Sequence, residues 1–413
     1  MNITCYSHYF IPEIGAPSAR IYDLCQQWLD MGHCVQVVTC FPNHPTGRLY
    51  PKYKSGLYLY EKLDGIDVHR HWTYITPNRG FLKKTFGHMS YLPSSLVLSN
   101  PRAGKADVAI GTSPTFFAAM AAAWTGYKQK IPFIMEIRDL WPSIFVELGI
   151  LRNRRVIRWL ERWELALYRQ ATRVVTVTEA FRKDLIKRGV PEKKIITIPN
   201  GADVEFWRPE RAPSDLGRKL GVEDCFVVLY IGAHGISQAL ESVLASAGRL
   251  RDYPRIQFLF VGEGAEKEKL VRRARQNRLK NVHFLGSVEK KEVKKFYALA
   301  DVCLVPLKNI PLFGAFIPSK MFEIMSMGRP IIGSVRGESA QILRRSGGAL
   351  VVEPEDGAAI AQAILWACEH PQEAQSMGQR ARQFVLEHYS RRSLAARYGR
   401  VINDAIAEYG RDS

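Results

Sequence analysis

The chain has 413 residues, 46% of them hydrophobic and 24% charged, with seven cysteines and a formal net charge of +18. This length and apolar content exclude a largely disordered chain and favour two or three domains with sizeable cores. The cysteines (5, 25, 34, 40, 225, 303 and 368) are odd in number and form no C-x-x-C pair, which excludes a complete disulfide framework and fits a reducing compartment. The positive charge is uneven: residues 1–200 carry 27 Lys and Arg against 15 Asp and Glu, and residues 201–413 carry 31 against 25. The first half therefore sets the field, with nucleic acid, anionic lipid or phosphorylated substrates as the partners that charge alone allows. The chain opens on an apolar strand pattern without the basic-then-apolar layout of a secretory leader. Its longest apolar stretch, Phe116 to Trp124, is well short of the ~20 residues a spanning helix needs. A cytoplasmic protein, soluble or peripheral on a membrane, is expected.

Strand-like runs fall at Asn2–His8, Val35–Cys40, Asp107–Gly111, Phe133–Ile137, Arg173–Val177 and Ile195–Ile198. Helical periods separate them, such as Ile21, Leu24, Cys25, Trp28 and Leu29, a stripe that Ser18 is placed to cap. After the polar, proline-bearing stretch 200–221 the alternation restarts, with strands at Val227–Ile231, Ile256–Val261, Val282–Leu285, Val302–Pro306, Pro330–Gly333 and Ala349–Val352. Alternating strand and helix with short connections means parallel sheet, here two doubly wound α/β domains facing across a cleft. The division expected is 1–205, 206–388, and a last helical segment 389–413 crossing back to the first domain.

Chemistry-bearing residues cluster at strand ends. After the first strand, Gly15 precedes a helix N-terminus, a position open to phosphate or to an ordinary βα connection; no G-x-G-x-x-G marks a dinucleotide site. Asn43 and His44 follow the second strand and are read as acceptor-side residues, with a hydrogen-bonded loop histidine rather than a base as the ordinary reading of His44. Arg138 and Asp139 end a later strand, where a guanidinium beside a carboxylate is either a functional pair or a structural one. In the second half, Gly232, His234 and Gly235 follow one strand, Gly262 and Gly264 the next, and Leu285-Gly286 a third. Individually such glycines are weak signals; their recurrence at strand ends carries the weight. Pro318-Ser319-Lys320-Met321-Phe322-Glu323 then enters a short helix whose free amides, positive end and Lys320 suit a diphosphate, while Glu323 can accept from a vicinal diol. The buried-helix reading, with Met321, Phe322, Ile324 and Met325 inside, is compatible with the same residues. Metal signals are poor: there is no D-x-D and no H-E-x-x-H, and Glu353-Pro354-Glu355-Asp356 reads as a strand-to-helix turn. Residues 78–88 interleave Arg79, Lys83 and Lys84 with Phe81 and Phe86, a pattern suited to an anionic membrane surface or to a helix with one buried face.

Together these segments resemble the glycosyltransferases of family 4, which have the two-domain GT-B architecture, over essentially the whole chain. The matching pieces are Tyr9–Pro17, Phe41–Pro45, Arg138–Pro142, Pro199–Asp203, Gly262–Gly264 and Pro318–Glu323. Within the family the chain resembles bacterial surface-polysaccharide L-fucosamine transferases. The resemblance implies a retaining, metal-independent transfer from a nucleoside-diphosphate sugar, UDP-linked by preference, to a lipid-linked saccharide, with no cofactor. It places Glu323 at the ribose, Ser319 and its neighbours at the phosphates, Gly15 at the diphosphate and Asp139 near the donor sugar. Two departures stand out: Ala315 occupies the position of the family's first motif glutamate, and Ala233 and Gln238 stand about where its phosphate-binding Arg and Lys fall. Lys320, with Arg138 or His234, then carries that charge. A sugar-nucleotide epimerase or hydrolase on the same architecture, or a basic nucleic-acid-binding protein, are the alternatives; no nucleic-acid-binding module is legible.

Overall fold

The computed structural model describes residues 1–13, 15–44, 46–76, 81–113, 115–139 and 153–412. The chain divides into two compact units, residues 1–200 with 391–413, and residues 201–390.

In the first unit, β1 (Asn2–Tyr6) leads to α1 (Ala16–Asp30), β2 (Cys34–Cys40), β3 (Tyr58–Leu63), β4 (Ile66–His71) and α2 (Phe81–Ser94). There follow β5 (Val108–Thr112), α3 (Phe116–Gln129), β6 (Phe133–Ile137), α4 (Arg154–Gln170), β7 (Arg173–Thr176), α5 (Glu179–Lys187) and β8 (Ile195–Thr197). The eight strands lie in the order β3-β4-β2-β1-β5-β6-β7-β8, parallel except for the edge strand β3. That hairpin was absent from the sequence reading. Its turn is Asp64-Gly65, with φ of 49° and 88°, the two-residue left-handed turn whose twist matches paired strands. One glycine fixes helix against sheet: a side chain on Gly111 would press to 2.6 Å from the Ala119 backbone, so β5 and α3 meet there without one.

Helix α1 begins at Gly15 with Pro17 in its first turn and no side-chain cap. Ser18 is therefore inside the helix and buried, which corrects its reading as a cap. The α1 stripe Ile21, Leu24, Cys25 and Trp28 packs into a core with Ile3, Val35 and Val37 on one side. On the other it meets Leu394, Tyr398 and Ile402 of the last helix. The Trp28 and Tyr398 rings meet edge to face, 5.3 Å between centroids.

The second unit contains α6 (Leu216–Lys219), β9 (Phe226–Ile231), α7 (Leu240–Arg249), β10 (Ile256–Val261), α8 (Lys267–Gln276), β11 (Val282–Leu285) and α9 (Lys290–Leu299). It continues through β12 (Val302–Pro306), α10 (Ser319–Ser326), β13 (Ile331–Ser334), α11 (Gly337–Ser346), β14 (Ala349–Val352), α12 (Gly357–Glu369) and α13 (Pro371–His388). Its sheet is wholly parallel in the order β11-β10-β9-β12-β13-β14. Asp356 caps α12 by accepting from the N–H groups of Ala358 and Ala359 at 2.9 Å each, as the strand-to-helix turn required. The last helix, α14 (Arg391–Asp412), returns to the first unit. Among the described residues no helix is long and apolar enough to cross a membrane.

Candidate functional site

Strand order in the second sheet reverses between β9 and β12, and doubly wound sheets take ligands at the carboxyl edge beside such a reversal. The loop leaving β9 is Gly232-Ala233-His234-Gly235, and the loop leaving β10 is Gly262-Glu263-Gly264. The two are laced together: Gly232 N–H donates to the Val261 carbonyl at 2.9 Å, His234 N–H to the Glu263 carbonyl at 2.8 Å, and Glu266 N–H to the His234 carbonyl at 2.9 Å. This closeness explains two of the glycines. A side chain on Gly262 would collide with the Gly232 carbonyl, and one on Gly264 with the His234 backbone, so both make room for the neighbouring loop. Leu285 and Gly286 close the cluster, with Gly262 N–H donating to the Leu285 carbonyl at 3.3 Å. Lys267, unmarked in the sequence reading, pins all of this: its Nζ donates to the carbonyls of Gly262 and Leu285 at 2.9 and 2.8 Å and to Glu263 Oε1 at 2.6 Å.

Gly232 makes room for a side chain. A Cβ there would clash with Lys320 Nζ, which donates to the Ile231 carbonyl at 2.9 Å and to Tyr230 Oη at 3.3 Å. The ammonium also lies 4.3 Å from the centre of the Tyr230 ring. Tyr230 in turn donates to the Ala233 carbonyl at 2.6 Å. Burial pushes the Lys320 amine down to about 8, with the Glu323 carboxylate opposing the shift. Pro318 offers α10 no capping side chain, so among the described residues the first N–H groups of the helix, those of Ser319 and Lys320, are left for another acceptor. Glu323, one turn on, is reached by Tyr297 Oη at 3.4 Å.

His234 is fully buried, yet among the described residues neither ring nitrogen has a hydrogen-bond partner. Its ring is packed near Tyr230, Phe260 and Phe284. Burial, aided by Lys267 and Lys320, holds its pKa down to about 4, so the imidazole is neutral and able both to donate and to accept. Gly235 N–H is taken by Gln238 Oε1 at 3.2 Å, which makes Gln238 the loop's own brace. Glycine 232, His234, Ser319, Lys320 and Glu323 thus converge beside the reversal point. The arrangement offers one cation, two free amides and a neutral imidazole to an anion, with a carboxylate beyond for hydroxyl groups.

In the first unit, Gly15 sits at φ 156°, and a Cβ on it would approach the His44 ring at 4.0 Å. Glu13, which the sequence reading passed over, joins the β1 and β2 loops by accepting from the N–H groups of Phe10, Asn43 and His44 at 3.2, 2.7 and 2.8 Å. Burial nevertheless pushes its carboxyl up to about 7. Arg138 and Asp139 leave the end of β6, and both backbone N–H groups donate to Ser113 Oγ, at 2.8 and 3.3 Å. The Arg138 guanidinium is almost wholly buried, with Nε and Nη1 unpartnered among the described residues. Burial raises the Asp139 carboxyl, and Arg138 opposes it. Leu140, Trp141 and Pro142 lie outside the described residues. So do Arg79 and the side chains of Phe81, Lys83 and Lys84, whereas Phe86 is exposed on α2. Among the described residues no group of three or more His, Cys, Asp or Glu converges as a metal site.

Two Rossmann-like units, each with a parallel sheet reversed at its middle, define the GT-B class. Solved structures share it over nearly the whole chain. Sucrose-phosphate synthase from Thermosynechococcus elongatus superposes with a TM-score of 0.74 at 18% identity, covering 98% of this chain and 99% of that one. Anabaena HepE in complex with UDP and glucose superposes with a TM-score of 0.69 at 16% identity, covering 97% and 99%. The chain belongs to the group 1 and family 4 glycosyltransferases, matching "Glycosyl transferases group 1" over residues 225–370 and "Glycosyl transferase 4-like domain" over residues 15–201. A similar curated protein is WcaI of Escherichia coli (strain K12), named as a glycosyl transferase of colanic acid biosynthesis. It is 27% identical over 374 residues, covering 88% of this chain and 91% of WcaI. The protein is therefore a glycosyltransferase with relatives in bacterial polysaccharide biosynthesis, acting between a nucleotide-sugar donor and a sugar acceptor.

Proposed function

We propose that the chain transfers a sugar, with retention of anomeric configuration and without a required metal, from a UDP-linked donor to a lipid-linked saccharide in surface-polysaccharide synthesis. The donor is held by the second unit. Its diphosphate is met by Lys320 and by the N–H groups of Ser319 and Lys320, and its ribose by Glu323. The observation that carries the reading is the Lys320 ammonium, seated against the end of β9 beside Gly232, whose φ of 141° favours glycine and which leaves the ammonium room. A positive charge fixed in advance beside free amides stabilises the diphosphate as it leaves, at no reorganisation cost during reaction. UDP is favoured by the family resemblance, and a second nucleoside diphosphate would change the donor but not the chemistry. The chain's own cation takes the charge-neutralising part that a divalent ion plays elsewhere.

On this account Lys320→Ala lowers kcat about a hundredfold or more, and Lys320→Arg retains part of the rate. Near-wild-type turnover by a folded Lys320→Ala protein would remove Lys320 from the mechanism. We assign Arg138 and Asp139 to the donor sugar and its phosphate. Unchanged turnover in Asp139→Asn would make that pair structural.

A further inference from the structure

Helix α4 is the most one-sided element of the first unit. Its inner face buries Glu164, Leu167 and Tyr168. Its outer face exposes Arg154, Arg155, Arg158, Trp159, Arg162 and Trp163, and of the two carboxylates on the helix Glu164 is buried and Glu161 half-buried. Among the described residues none of these four arginines is in an ion pair, and the two indoles pack against each other, tilted by 43° with centroids 5.0 Å apart. Trp159 is 54% and Trp163 48% exposed, a large apolar area to leave in water. The neighbouring helix α3 continues the surface with Trp124 at 49% and Tyr127 at 73%, beside the exposed Lys128 and Lys130. Both helices follow the carboxyl ends of parallel strands, so they run in the same direction, and the α4 arginines start at the sheet edge that carries Arg138 and Asp139.

We propose that this α3–α4 face docks on an anionic bilayer surface. The inference rests on the lipid-linked acceptor reading and moves the contact from the segment 79–86 to α3 and α4. Indole and phenol rings have an apolar body and a polar edge, which suits the headgroup boundary, and unpaired guanidinium groups beside them meet lipid phosphates in bidentate fashion. A protein partner would be expected to meet the arginines with carboxylates and to fill a pocket with the indoles. Here four exposed arginines outnumber the single half-buried carboxylate of Glu161 and the rings lie on the same helix face, which fits a fluid anionic plane. Docked there, the first unit holds its carboxyl edge near a saccharide that cannot leave its lipid.

Sedimentation of the intact chain with vesicles of phosphatidylglycerol and phosphatidylcholine, against phosphatidylcholine alone, tests this. Binding is expected only with the anionic lipid and to weaken with salt. It should fall about fivefold for each charge removed in Arg154→Gln, Arg155→Gln, Arg158→Gln and Arg162→Gln. Trp159→Ala with Trp163→Ala should weaken it at every salt concentration. Both variants change exposed residues, and calorimetric nucleotide affinity equal to wild type verifies that they are folded. The proposal is overturned if the intact chain ignores vesicles, binds both compositions alike, or keeps full affinity in both variants. It is also overturned if Lys83→Gln with Lys84→Gln abolishes binding that the α4 variants retain. Vesicle binding by a chain that takes up no nucleoside diphosphate would leave the docking face standing and refute the donor reading instead.

Discussion

A lysine whose amine has been pushed down to about 8 is charged at neutral pH and loses that charge a little above it. For Lys320 the consequence is an alkaline limb: kcat/KM, which reports the free enzyme, falls as the pH rises through about 8. A bound diphosphate favours the ammonium, so the limb in kcat lies higher. Lys320→Arg replaces the amine with a guanidinium that keeps its proton and should lose the limb; an unchanged profile in that variant would assign it to another group. Glu13 works in the opposite sense. Its carboxyl is raised from an ordinary value of 4.5 to about 7, so the stability it supplies is complete below pH 4.5 and is lost as the pH rises through 7. Urea unfolding should therefore weaken by about 3 kcal/mol between acid and mildly alkaline buffer through this group. Glu13→Gln should flatten that part of the dependence, and an undiminished slope would show that other groups produce it. Lys320 and Glu323 were legible in the sequence because a proline-led helix start followed by a lysine has a physical reading on its own. Tyr230 and Lys267 were not, since a tyrosine in an apolar strand reads as core and a lysine after a loop reads as solvated. What they do depends on which carbonyls the fold brings to them.

At the scale of elements, all six strands of the second unit were visible as apolar runs: the inner strands β9, β10, β12 and β13 are almost wholly buried, and the half-buried edge strands β11 and β14 are still short runs of apolar residues. The first unit was harder. Strands β3 and β4 carry polar residues, including Glu61, Lys62, Asp67 and Arg70, and so fell below the apolar signal. The Asp64-Gly65 turn was the signal that could have found them, and it went unread. Ser18 misled in another way, since capping residues also occur inside helices and Pro17 was the better mark of the start. Contacts between distant elements left no trace in the sequence. Arg20 on α1 donates to Glu136 at the end of β6, to the carbonyls of Ile198 and Pro199 after β8, and to Asn200 Oδ1, each at 3.0 Å. Glu136 is fully buried, so Arg20→Ala strands a charge and should cost the first unit about 3–5 kcal/mol in chemical denaturation. Arg20→Ala combined with Glu136→Gln should recover part of that loss. A single variant as stable as wild type would contradict this account of the clamp.

For the whole molecule, charge excess, architecture and family point the same way. A net charge of +18, weighted towards the first 200 residues, suits the anionic nucleotide-sugar donor and the docking surface proposed above. The donor reading is the central claim, and calorimetric titration of the intact chain with UDP, GDP, dTDP and NAD, without metal and then with magnesium, tests it most directly. The account predicts saturable UDP binding without metal, weakened in both Lys320→Ala and Glu323→Ala, and no response to NAD. Absence of nucleoside-diphosphate binding, or UDP binding that neither substitution alters, would contradict it.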